Sequence, residues 1–129
     1  MKKYLYFQTS SAIEGTDSSE EAIMVPADAL IAIEPNNTTE VSMIFAGNGV
    51  GNIGGDEDGG TNNVVVQLAV TGAQFQEFCR QIAKFINADV LNRDNSAYSK
   101  DGMLVVANQT DTFHSSVTNC VSIYIGAVA

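Results

Sequence analysis

Apolar and polar positions alternate with a period of two in several short stretches of this chain, and repeat with a period near 3.6 along one stretch. In residues 2–9, Leu5 and Phe7 fall on one side and Tyr4 and Tyr6 on the other, which predicts a strand covered on both faces. "AIMV" at 22–25 predicts a short strand, and "PADAL" interrupts it because Pro26 has no amide donor. "LIAIE" predicts the next strand. Pro35, Asn36 and Asn37 suit a tight hairpin turn into a strand that alternates at Val41, Met43 and Phe45. Val64, Val66, Leu68 and Val70 mark another strand.

The helical stretch is expected over 72–87. Thr71 and Gln74 fit a capping box at its start. Phe75, Phe78, Cys79, Ile82, Phe85 and Ile86 repeat at i, i+3, i+4 and i+7, the spacing of one buried face. "MLVVAN" and "TNCVSIYIG" predict two closing strands, the last with Val121, Ile123 and Ile125 on one face. The expected fold is therefore α+β: a mostly antiparallel sheet of six to seven strands with one amphipathic helix packed on one face. At 129 residues the chain is expected to form a single domain, 1–129, with a long glycine-rich hairpin loop at 46–63.

Charge narrows the partners. The chain carries a net −9, and eleven acidic residues from Glu14 to Glu77 are interrupted by no Lys or Arg. Nucleic-acid binding needs clustered cations to displace counterions, so none is expected there. No apolar run is long enough for a membrane helix. "MKKYLYFQTSS" has a basic pair but no apolar segment or small-residue cleavage site, so no Sec-type export is expected.

Three stretches invite a chemical reading. Gly49, Gly51 and Gly54 spell G-x-G-x-x-G after a strand. A dinucleotide site also needs a helix starting at the loop and room for a pyrophosphate. "GDEDGGTNN" starts no helix, and Asp56, Glu57 and Asp58 would repel the phosphates. Asp56, Asp58 and Asn62 are hard oxygen ligands, but counting from Asp56, position six is Thr61 and position twelve is Gln67, so no EF-hand is spelled. His114 lies beside Asp111, Ser115 and Ser116, yet a nucleophilic triad is a matter of geometry and no G-x-S-x-G elbow occurs. Cys79 and Cys120 read as small buried hydrophobes. No catalytic residue, cofactor or metal site is expected. Tyr4, Tyr6, Tyr98, His114 and Tyr124 are the expected interface residues, since amphipathic rings favour contacts between proteins.

"MKKYLYFQT" at 1–9, "MVPADALIAIE" at 24–34 and "FHSSVTNCVSIYIG" at 113–126 together resemble small virion proteins of marine bacteriophages, including cyanophages. The likeness runs through Pro26-Ala27-Asp28-Ala29-Leu30, Ile86-Asn87 and His114-Ser115, and departs from it at 46–61. It implies a non-enzymatic structural protein of the virion, most simply a capsid decoration (cement) protein. Such a protein would associate with copies of itself, as a trimer or another small ring, and with the major capsid protein or another virion protein. The alternatives are a tail or other virion component, or a free ligand- or partner-binding module.

Overall fold

A computed structural model of the chain describes residues 3–9, 22–47, 63–87, 99–100, 102–109 and 111–126. Within them the chain order is β1 (Tyr4–Gln8), β2 (Ala22–Pro26), a 3-10 turn (Ala27–Ala29), β3 (Leu30–Asn37), β4 (Glu40–Phe45), β5 (Asn63–Val70), α1 (Phe75–Asn87), β6 (Ser99–Lys100), β7 (Met103–Ala107) and β8 (Val117–Gly126). The α+β class is as expected. The strands divide, however, into two four-stranded sheets rather than one, ordered β2-β1-β7-β6 and β3-β4-β5-β8. Pairing is antiparallel except between β1 and β7, which run parallel. An isolated parallel bridge from Thr9 to Cys120 links the two sheets.

The period-two pattern decides which side chains meet. In the second sheet, cross-strand register aligns Ile33, Met43, Val66 and Ile123 in one row and Pro35, Val41, Leu68 and Cys120 in the next. Directly opposed residues share a face, so these rows form the inner surface, where Met43, Val66 and Leu68 are fully enclosed. Leu5, Phe7, Val25, Leu104 and Val106 line the inner surface of the first sheet, and Phe78, Ile82 and Phe85 of α1 complete the same cluster. The Phe7 and Phe45 rings cross the core edge to face at 5.8 Å between centroids. Each large side chain so buried contributes about 1.5–3 kcal/mol.

Four local expectations shift. The hairpin turn lies at Thr38–Thr39 and not at 35–37, because the Asn37 Oδ1 accepts the Thr39 amide at 2.8 Å and turns the chain two residues later. Pro35 is left inside β3, which its place on a sheet edge tolerates. Helix α1 begins at Phe75, three residues after the expected start. Thr71 does not form the capping box: its hydroxyl donates to the Ser115 carbonyl at 2.9 Å, and Ala73 takes a left-handed conformation at φ 64°. The Gln74 carbonyl accepts the Phe78 amide at 2.9 Å, so Gln74 stands at the cap position.

In β8 a bulge inserts Val121 between Cys120, opposite Leu68, and Ser122, opposite Gln67. It turns Cys120 inward together with Ile123 and leaves Val121 exposed, so Val121 and Ile123 do not share the expected face.

At the other end of α1, the Lys3 ammonium donates to the carbonyls of Phe85 and Ile86 and sits 5.6 Å from the Phe85 ring centroid. A cation at this end satisfies carbonyls left over by the helix and opposes its dipole. No helix among the described residues is long and apolar enough to cross a membrane.

Candidate functional site

The outward side of the first sheet is built from residues that the core does not take. Along β1 burial alternates, so Tyr4, Tyr6 and Gln8 turn away from Leu5 and Phe7. Register then sets Met24 and Val105 on either side of Tyr6, and Pro26 and Met103 on either side of Tyr4. Across β1, β2 and β7 the resulting surface has no charged residue, and on β6 the register sets Lys100 opposite Met103. Met24 is its most open member at 51% exposure, and the tyrosines are half-buried. One hydrogen bond, from the Tyr6 hydroxyl to Gln8 Oε1 at 2.8 Å, lies within it.

The outward side of the second sheet differs. A row across its four strands reads Glu34, Ser42, Gln67 and Ser122. Ser42 Oγ donates to Asn36 Oδ1 at 3.1 Å, and Ser122 Oγ donates to Gln67 Oε1 at 2.7 Å. Tyr124 belongs to the adjoining row beside Val65 and is 44% exposed.

His114 occupies a third place. The turn at 113–116 packs on α1 through Phe113, whose ring meets Phe78 at 6.3 Å between centroids. The His114 Nδ1 accepts the Ser116 amide at 3.1 Å and lies 3.0 Å from the Ser116 hydroxyl. In the neutral ring this leaves the proton on Nε2, which stands 4.0 Å from Glu77 Oε2. Gln81 donates to that same carboxylate at 2.7 Å, and this bond, more than the nearby Arg80 and His114, holds the Glu77 carboxyl below its ordinary range against a smaller opposing effect of burial.

The serine, histidine and glutamate therefore meet, but Ser116 is fully enclosed and its hydroxyl is closed to a substrate. The grouping fastens the turn to the helix. The cysteines are both free; burial pushes the Cys120 thiol up to about 12 and raises Cys79 less. A thiol so held is a packing group rather than a nucleophile.

The residues expected at an interface thus divide among three places. Tyr4 and Tyr6 stand together, Tyr124 belongs to the other sheet, and His114 is engaged with α1. Tyr98 lies outside the described residues, as do the glycine motif and the carboxylates at 56–58. Sequence reasoning missed Met24, Pro26, Met103 and Val105 as companions of the tyrosines. Their alternation in "AIMVP" and "MLVVA" was the available signal, but only strand pairing brings them side by side. A shallow groove lined by Pro35, Asn37, Thr38, Ala73, Phe75 and Gln76 was likewise not anticipated. No family model matches this chain, and no curated protein or solved structure does either.

Proposed function

We propose that this chain is a non-enzymatic structural protein of a virion, a capsid decoration protein that associates with copies of itself and contacts the particle lattice. The observation that carries the reading is the resemblance of 1–9, 24–34 and 113–126 to small marine-phage virion proteins. Those segments contribute β1, the β2–β3 corner and the turn into β8, and so much of the framework on which the tyrosine surface rests. A decoration protein needs contact surface rather than reactive groups. The tyrosines and apolar residues on the outward side of β1, β2 and β7 supply such a surface, and the enclosed Ser116 hydroxyl suits a structural role for the His114 turn.

Co-sedimentation with purified particles tests the reading. The chain is expected on heads in many regular copies, and particles lacking it are expected to assemble but to break more readily on heating. Purified heads without any copy overturn the proposal. Copies confined to tails favour the tail-component alternative.

A further inference from the structure

We infer that His114 is an acid-sensitive latch: the neutral ring holds the turn at 113–116 in place beside α1, and protonation of the ring releases it. The inference goes beyond the functional reading given above and does not depend on it.

The latch rests on one nitrogen. His114 Nδ1 accepts the Ser116 amide at 3.1 Å, so Nδ1 is the bare nitrogen of the neutral ring and Nε2 carries the proton. An added proton can go only to Nδ1. There it faces the Ser116 N–H, and two donors cannot bond to each other. The Ser116 hydroxyl, 3.0 Å from Nδ1, can rotate from donor to acceptor and keep a bond to the charged ring. The amide has no such freedom. Ser116 is fully enclosed, so water cannot replace the lost acceptor while the turn stays closed.

Opening the turn undoes more than one bond. The Ser115 carbonyl accepts the Thr71 hydroxyl, and the Ser116 carbonyl accepts the Thr71 amide, both at 2.9 Å. Phe113 lays its ring on Phe78 of α1. The same turn therefore holds the chain that leads into the helix and covers part of the helix itself.

The surrounding charges do not reverse this. Among the described residues, α1 carries Glu77, Arg80 and Lys84, the His114 loop carries Asp111, and β5, β7 and β8 carry no charged residue. Burial raises the thiols of Cys79 and Cys120 and keeps them neutral. Glu77 Oε2 stands 4.0 Å from Nε2 and attracts the charged ring. It faces the nitrogen across the ring from Nδ1, however, and offers nothing to the Ser116 amide. Its charge is also shared, since Arg80 pairs with Oε1 at 3.1 Å and Gln81 donates to Oε2 at 2.7 Å. A solvent-facing pair of this kind contributes less than an enclosed amide costs when it loses its acceptor.

Amide hydrogen exchange followed by NMR on the full chain tests this, read as protection factors so that the intrinsic pH dependence of exchange is divided out. Between about pH 8 and about pH 5, the span in which imidazole changes charge, Ser116 is expected to lose protection by about tenfold or more. Val66 and Leu68 in β5 are expected to keep theirs, which marks the opening as local. His114→Asn leaves an acceptor two residues before the same amide, as in an Asx turn, but takes up no proton. Its Ser116 protection is expected to be equal at both pH values. Glu77→Gln is expected to preserve the loss, because the carboxylate is not the sensor. The nitrogen shifts of the imidazole are expected to place the proton of the neutral ring on Nε2.

Equal Ser116 protection at both pH values in the unsubstituted chain overturns the inference, and so does a neutral ring with its proton on Nδ1. Both are read without any substitution, so they decide the matter even where a variant does not fold. A loss that persists in folded His114→Asn, or one that Glu77→Gln abolishes, overturns it as well.

Discussion

The outward sides of the two sheets solve the same problem with different rows of side chains. Each sheet gives one face to the common core and must do something with the other. On the second sheet the outward row Glu34, Ser42, Gln67 and Ser122 consists of groups that bond to a neighbouring side chain or to water. On the first sheet the matching rows are Met24–Tyr6–Val105 and Pro26–Tyr4–Met103, with little to offer water. Apolar area left in water forgoes about 25 cal/mol per Å² that burial would return. The first surface leaves Met24 open to water, and the second is mixed, because the row beside its polar one reads Ala32, Ile44, Val65 and Tyr124 and leaves Tyr124 44% exposed. The comparison teaches that alternation in a strand reports only that two faces differ; the residues on the second face say whether it is finished or unfinished.

The severest way to probe the contrast is to remove what both sheets share. Phe78 is fully enclosed in the cluster that joins them. Phe78→Ala is expected to cost about 3–5 kcal/mol in chemical denaturation. It should do so in one transition, reported alike by probes on either sheet. A loss under about 1 kcal/mol would mean that the helix does not close the core.

A smaller effect is expected from the finished surface. Ser122→Ala leaves Gln67 Oε1 without its 2.7 Å donor and should cost about 0.5–1.5 kcal/mol. Self-association should not change, because the substitution removes a hydrogen bond within one row of the second sheet and adds no charge. A change in sedimentation with this substitution would erase the distinction between the two surfaces.

The smallest effect belongs to the His114 turn, which lies outside both surfaces. The Glu77 carboxyl is held below its ordinary 4.5. In the acid range the unfolded chain therefore binds the proton more readily than the folded one. The stabilisation from this group is fully present above about pH 4.5 and is lost as pH falls through the lower folded value. Glu77→Gln should flatten the acid side of the stability profile slightly and leave the profile above pH 6 almost unchanged, as befits a solvent-facing pair. A larger change at neutral pH would show that the Glu77–His114 contact carries more than the fastening of one turn.

Much of this architecture was legible in the residues. Alternation at Leu5 and Phe7, at Val41, Met43 and Phe45, and at Val64 to Val70 depends only on the two-residue strand repeat, and all of these side chains are enclosed. The helix stripe of Phe78, Ile82 and Phe85 depends only on the 3.6-residue repeat and is equally buried. Local chemistry was less secure, because side chains that suit a local bond can be claimed from afar. The Thr71 hydroxyl leaves the expected cap for the Ser115 carbonyl, 44 positions away, and the helix starts later at the expense of a left-handed Ala73.

Pairing between distant segments was not legible at all. The chain by itself determined which residues avoid water, since that follows from each side chain and its place in a short repeat. Only the tertiary structure decided that the strands form two sheets, that β1 lies parallel to β7, and that a bulge at Val121 turns Cys120 inward with Ile123. It alone set Met24 and Val105, 81 positions apart, on either side of Tyr6. Hydrogen bonds between backbones are nearly blind to residue type, so strand neighbours are chosen by how the whole core packs, and the surface on the far side takes its membership from that choice.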